Sequence, residues 1–137
     1  MSTTATASFT LDSWDEDEWQ ESPDGMKFSR ASVTKTYTGE LEGTSRAQFL
    51  FAYGKGGAGY VGHERIEVTV GGAKGSFILQ HQAVGLMSDE EGGADWHIVP
   101  GTGTDGLAGI QGTATMRKLE DGSHTFTLQY DLLDELV

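Results

Sequence analysis

Runs in which apolar and polar residues alternate, separated by glycine-containing turns, are the feature that most constrains how this chain folds. Near the end of the chain, Phe126, Leu128 and Tyr130 alternate with threonine and glutamine. A period of two places alternate side chains on opposite faces of a β-strand, whereas helical periodicity is nearly absent. The 20 glycines, against 2 prolines, fall between these runs, where hairpins need turns. The chain is therefore predicted to be all-β.

The alternating runs predict about eight strands joined by local connections. The predicted strands are 9–14, 27–38, 45–53, 60–70, 75–83, 95–99, 112–117 and 124–132, with an acidic stretch at 15–24 and one helical turn within 104–110. Short connections join antiparallel neighbours, and eight meandering strands most simply close into a barrel, which removes exposed edges. We expect one domain over residues 1–137, an eight-stranded antiparallel up-and-down β-barrel of lipocalin-like form. Residues 1–6 are expected to be flexible, and a β-sandwich is the alternative architecture.

Composition excludes or disfavours several classes of function. A formal net charge of −12 disfavours binding to nucleic acids and anionic membranes, because polyanions would be repelled. The absence of cysteine excludes disulfides, thiolate metal sites and cysteine nucleophiles. The four histidines form no i,i+2 or i,i+4 pair, so we expect neither a metal nor an organic cofactor. The sequence has no secretory-signal pattern and no apolar run near the ~18 residues of a membrane helix, which predicts a cytoplasmic bacterial protein.

The connection at Gly71–Gly72 predicts which residues of its two strands share a face. A two-residue turn there puts Glu64 opposite Leu79 and Gly62 opposite His81. A four-residue loop keeps the same faces but puts Glu64 opposite His81. A β-bulge at the start of the following strand would instead turn its other set of side chains inward.

The preceding glycine-rich connection is expected to pair Tyr53 with Tyr60, which places Phe49 opposite Glu64. One face then collects aromatic and aliphatic side chains around a carboxylate, and we take this face to be the inner one. The candidate ligand-binding residues are Arg30, Phe49, Phe51, Tyr53, Phe77, Leu79, Gln80 and Trp96.

Glu64 and His81 are the candidate catalytic residues. A carboxylate placed among phenylalanines loses hydration, which raises its pKa and suits it to general acid or base work. The alternative for Glu64 is a structural ion pair with Arg30 or Arg65. His81 is either the hydrogen-bond partner of Glu64 or an ordinary histidine near the barrel rim.

Four separated segments, in the same order, resemble the bacterial family DUF3224. These segments are Arg30–Lys35, Tyr60–Ile66, Gly75–His81, and Pro100–Thr104 with Leu107–Ile110. The resemblance spans roughly residues 7–131 and implies a barrel similar to that of allene oxide cyclase. It implies no established activity. The cyclases that share this barrel lack these segments, so none of their catalytic residues can be transferred to this chain.

Two functions remain open on this basis. The first is a barrel whose lumen binds one small, largely apolar molecule and steers a cofactor-independent cyclisation or isomerisation of it. The alternative is a non-catalytic binding or structural module with a filled barrel. A lumen of about 300 Å³ or more would favour the first function, and a packed interior the second. The expected partners are a small apolar molecule and, by analogy with related barrels, a second copy in a homodimer or higher homo-oligomer.

Overall fold

Eight antiparallel strands run through residues 2–86 and 93–133, the part of the chain that the computed structural model describes. They are β1 (Thr3–Glu21), β2 (Lys27–Gly39), β3 (Leu41–Gly54), β4 (Gly57–Val70), β5 (Ala73–Leu86), β6 (Gly93–Ile98), β7 (Ile110–Lys118) and β8 (His124–Leu132). Each strand pairs with the next, and residues 3–9 of β1 pair with residues 124–130 of β8, which closes the sheet. The predicted eight-stranded barrel is confirmed, and the expected helical turn is a 3-10 helix at Asp105–Leu107. Within these ranges no helix has the length and apolar character needed to cross a bilayer.

The first strand is much longer than the sequence pattern indicated. It begins at Thr3, inside the segment expected to be flexible, because Thr3 and the residues after it pair with β8. It also continues through most of the acidic stretch to Glu21, where its partner is β2. Irregular pairing between Leu11 and Ser13, and again between Glu18 and Gln20, interrupts the alternation that marks a strand.

The strands differ in length, and this makes the two ends of the barrel unlike each other. Strands β1 to β5 have 13 to 19 residues, whereas β6 to β8 have 6 to 9. Pairing between β1 and β8 stops at Phe9 and His124. Beyond that level the long strands continue as an overhanging part of the sheet, and we call this end of the barrel the mouth.

The opposite end is filled by a hydrophobic core. The inward residues of β4 that lie there, Ile66, Val68 and Val70, are buried, and the residues between them are exposed. Phe77 and Leu79, predicted to bind ligand, are fully buried in this core. They stabilise the barrel by removing apolar surface from water.

The β4–β5 hairpin has the predicted two-residue turn. Val70 pairs with Ala73, so Glu64 lies opposite Leu79 and Gly62 opposite His81.

The predicted register of the β3–β4 hairpin was wrong by two residues. Its turn is Lys55–Gly56, so Tyr53 pairs with Ala58 instead of Tyr60, and Phe49 pairs with Gly62 instead of Glu64. Gly56, at a φ of 72°, permits this tighter turn. A shift of two residues preserves the strand faces, so the inner set of side chains is unchanged.

We expect Gly62→Ala to lower the free energy of unfolding by about 1–3 kcal/mol, because the added methyl group would overlap the Gln48 carbonyl oxygen and the Phe49 ring. Gly54→Ala, also in the β3–β4 hairpin, is the matched control, since its methyl group would find its nearest neighbour 3.8 Å away. Urea denaturation of both variants tests this. Equal stabilities would mean that the close approach at Gly62 is not a packing constraint.

Candidate functional site

Glu64 is completely buried in the barrel interior, where four side chains donate hydrogen bonds to its carboxylate. Oε2 accepts from the Tyr37 hydroxyl at 2.5 Å and from the Ser45 hydroxyl at 2.6 Å. Oε1 accepts from Lys35 Nζ at 3.2 Å and from His81 Nε2 at 2.8 Å. The donors come from β2, β3 and β5, so this group of five residues, the Glu64 cluster, connects four neighbouring strands.

Glu64 is ionised despite its burial. Loss of water acts to raise the pKa of this carboxyl group. The hydrogen bond from His81 and the positive charge of Lys35 outweigh that effect and hold the pKa at about 2. The carboxylate and the Lys35 ammonium form a buried ion pair, with both side chains at most 5% exposed.

His81 is neutral and its tautomer is defined by the cluster. Burial lowers its pKa below the ordinary value, although the Glu64 carboxylate opposes this shift. Because Nε2 faces the carboxylate, Nε2 carries the proton, and Nδ1 is left as an acceptor. The Tyr60 hydroxyl lies 3.5 Å from Nδ1.

A cavity of about 210 Å³ opens at the mouth of the barrel, directly above the Glu64 cluster. Lys35 and His81 form part of its lining, and Glu64 does not. The remaining lining residues are mostly aromatic or aliphatic: Phe9, Leu11, Trp14, Phe49, Phe51, Tyr60, Trp96, Met116 and His124. This mouth cavity is smaller than the 300 Å³ that the sequence analysis set for an open lumen, and the interior beyond the cluster is filled by the core.

The ammonium of Lys35 is held between the cluster and aromatic rings. Its Nζ lies 4.4 Å from the ring centroid of Phe9 and 5.5 Å from that of Trp96. Cations are attracted to the faces of such rings. Lys35 therefore offers a positive charge at the bottom of a largely apolar cavity.

Four of the predicted site residues meet at the mouth cavity: Phe49, Phe51, His81 and Trp96. Glu64 lies behind His81 and reaches the cavity only through it and Lys35.

Three of the other predicted ligand-binding residues lie elsewhere. Tyr53 donates a hydrogen bond to Glu16 Oε2 at 2.6 Å on the overhanging part of the sheet. Arg30 and Gln80 are exposed on the outer face, where Gln80 contacts His63. The strand alternation that turns Phe49 and His81 inward turns Arg30 and Gln80 outward.

The predicted ion pair of Glu64 with an arginine is corrected by the structure. Arg30 projects outward, and Arg65 is exposed beside Glu67, with 3.9 Å between Arg65 Nε and a carboxylate oxygen. Lys35 takes the place expected for arginine.

Four residues of the site were not among those predicted from the sequence: Lys35, Tyr37, Ser45 and Tyr60. The sequence does contain a signal for Lys35. It lies two residues from Val33 and two from Tyr37, so the strand alternation places it on the same apolar face of β2. A lysine in that phase indicates a buried charge, and a buried charge requires a partner such as Glu64.

A larger apolar groove, of about 540 Å³, lies on the outer face of β2 to β5. Exposed side chains such as Trp19, Phe28, Leu50, Val61 and Val84 surround it. Among the described residues that line it, none is acidic, basic or histidine, and Tyr60, which also lines the mouth cavity, is the one ionisable side chain. Across residues 2–86 and 93–133, no cluster of three or more histidine, aspartate or glutamate residues is arranged to hold a metal ion.

Comparisons with known proteins identify a family and a similar solved structure. The profile of DUF3224, described as a protein of unknown function, matches residues 5–130. A crystal structure of a DUF3224 protein of unknown function from Shewanella oneidensis MR-1 is 28% identical, with a TM-score of 0.85. The alignment covers 97% of this chain and 99% of that one. The comparison with curated proteins found no match.

We expect Glu64→Gln to lower the free energy of unfolding by about 3–5 kcal/mol, because it leaves the buried Lys35 ammonium without its counter-charge. The double variant Lys35→Met, Glu64→Gln removes both charges and should recover part of this loss. Urea denaturation of the two single variants and the double variant measures the coupling. Strictly additive losses would show that the two charges do not depend on each other.

We expect stability to decline on acidification in two stages. The folded-state pKa values of His81 and Glu64 lie below their ordinary values of 6.5 and 4.5. The unfolded chain therefore binds more protons than the folded chain. As the pH is lowered past 6.5, protonation of His81 in the unfolded chain decreases the free energy of unfolding, and as the pH is lowered past 4.5, protonation of Glu64 decreases it further.

Urea denaturation from neutral pH down to about pH 2, the folded-state pKa of Glu64, tests this expectation. In His81→Gln the first decline should be smaller, and in Glu64→Gln the second. A decline identical to that of the unchanged protein in both variants would assign the acid sensitivity to other groups.

Proposed function

The chain belongs to the DUF3224 family, whose function is unknown, and we propose that it binds one small, largely apolar molecule in the mouth cavity. The observation that carries this proposal is a cavity with walls of aromatic and aliphatic side chains above a buried cluster of charged and polar groups. Ligand sites commonly combine an apolar lining with a few convergent polar groups.

The size of the cavity limits the ligand. An apolar cavity of ~150 Å³ is known to accommodate benzene, and the mouth cavity measures about 210 Å³. We therefore infer a ligand of about one ring with small substituents. Burial of that ring against Phe49, Phe51 and Trp96 would supply most of the binding free energy, since apolar contact scales with the area removed from water.

A cyclisation or isomerisation of the bound molecule would depend on His81 rather than on Glu64. His81 lines the cavity and presents Nδ1 as an acceptor, whereas Glu64 is hydrogen bonded at both oxygens and lies behind it. In this proposal Glu64 is a positioning residue. It orients the imidazole, and the Lys35 ammonium stabilises negative charge that develops on the ligand.

The alternative, a non-catalytic module with a filled barrel, draws support from the packed core at the closed end and from the structural ion pair of Glu64. It provides no reason for a cavity above that ion pair. A binding measurement that localises a ligand to the mouth distinguishes the two.

Fluorine NMR with 4-fluorotoluene as the probe tests the proposal. We expect saturable line broadening in the presence of the protein, and at least a tenfold weaker affinity in Met116→Trp, whose indole would fill the cavity from its rim. Met116 is 38% exposed, so this change is expected to leave the core and the fold unaffected.

Thr115→Trp is the matched control, because the neighbouring residue points out of the barrel on the same strand. It should bind the probe as the unchanged protein does. The mouth cavity is not the site if the unchanged protein and Thr115→Trp both fail to bind the probe, or if Met116→Trp and Thr115→Trp bind it equally well. Thermal unfolding of each variant confirms that affinities refer to folded protein.

A further inference from the structure

The wall of the mouth cavity includes Trp96, whose buried indole N–H has no acceptor among the described residues. Trp96 is 3% exposed, and its Nε1 makes no hydrogen bond to any of the described residues. A buried donor without an acceptor costs about 1–3 kcal/mol. Such a group in a cavity wall indicates that an acceptor arrives from outside the chain.

The same wall contains an acceptor that is only weakly occupied. Glu64 holds the proton of His81 on Nε2, so Nδ1 has a free lone pair. The nearest donor hydroxyl, that of Tyr60, is 3.5 Å away, at the outer limit of a hydrogen bond.

These atoms are close to one another. The rings of His81 and Trp96 have centroids 3.9 Å apart. Burial raises the pKa of Tyr60, and an interaction of the Trp96 N–H with the Tyr60 hydroxyl opposes this shift, although the two groups fall short of hydrogen-bond geometry. A donor, an acceptor and a hydroxyl therefore surround one region of the cavity.

We propose, on the basis of the proposed function, that the ligand carries a weakly acidic hydroxyl group, as in a phenol or an enol, and that this group is bound between His81 and Trp96. The hydroxyl hydrogen is donated to His81 Nδ1, and the hydroxyl oxygen accepts from Trp96 Nε1. One hydroxyl satisfies both groups, which a carbonyl, an amine cation or a hydrocarbon does not.

The charge of the site agrees with a neutral hydroxyl rather than a permanent anion. Glu64 and Lys35 cancel, and His81 is neutral. A carboxylate ligand would place a second negative charge near Glu64 and would leave the lone pair of His81 Nδ1 facing another acceptor. The Lys35 ammonium favours partial negative charge on the hydroxyl oxygen, because it lies at the bottom of the same cavity.

Three one-ring probes test the proposal, titrated on the acid side of neutral so that the phenol keeps its proton: 4-nitrophenol, 4-nitroanisole, in which a methyl ether replaces the hydroxyl, and the smaller nitrobenzene. Calorimetric titration should give at least a tenfold higher affinity for 4-nitrophenol than for either of the others. Trp96→Phe keeps an aromatic ring but removes the N–H, and His81→Gln removes Nδ1. Each should bring the ratio of the 4-nitrophenol affinity to the nitrobenzene affinity down to about one, whatever change the lost ring contact makes to nitrobenzene binding itself.

His63→Gln is the matched control, since His63 is exposed on the outer face beside Gln80. It should retain the preference for 4-nitrophenol. Equal affinities of the three probes would overturn the hydroxyl assignment while leaving the mouth cavity as a binding site. Absence of binding by all three would overturn the proposed function and this inference together. If His81→Gln does not fold, Trp96→Phe alone decides the question.

Discussion

A carboxylate that has been removed from water and remains charged is the interaction on which the rest of this structure depends. Glu64 keeps its charge because Lys35 balances it and Tyr37, Ser45 and His81 donate hydrogen bonds to it. Each of these side chains is held on a different part of the sheet, so the barrel must be closed and in register before the carboxylate is satisfied. A misregistered sheet would leave a buried charge without partners, at a cost of several kcal/mol.

The cluster also divides the interior into two parts with different properties. On one side, Ile66, Phe77 and Leu79 are fully buried in the main hydrophobic core. On the other side, a small aromatic group around Phe49 borders the mouth cavity. At the mouth, β1 to β5 continue past the end of β8, so the cavity lies where fewer strands contribute side chains to fill it.

Much of this arrangement could be predicted from local pattern. Period-two alternation and glycine turns predict the barrel, and the tight turn at Gly71–Gly72 predicts the face on which Glu64 lies. The β3–β4 register could not be predicted in the same way, since several glycines there permit turns of more than one length. That Lys35 rather than Arg30 pairs with Glu64 could have been predicted, because the alternation along β2 places Lys35 on the inner face and Arg30 on the outer face. The size of the mouth cavity could not have been predicted, because it depends on how side chains from many strands pack across the barrel.

The extension of β1 past β8 has no neighbouring strand on that side among the described residues. Among the described residues, the second half of β1 pairs with β2 alone, and it contains the acidic run from Asp15 to Glu21. An open edge is a template for adding a strand from another molecule. Two such edges approaching one another would bring together rows of carboxylates, whose repulsion opposes aggregation at neutral pH. Salt screens that repulsion and acid removes it, so we expect association through this edge to increase with ionic strength and with falling pH, even where the barrel itself stays folded.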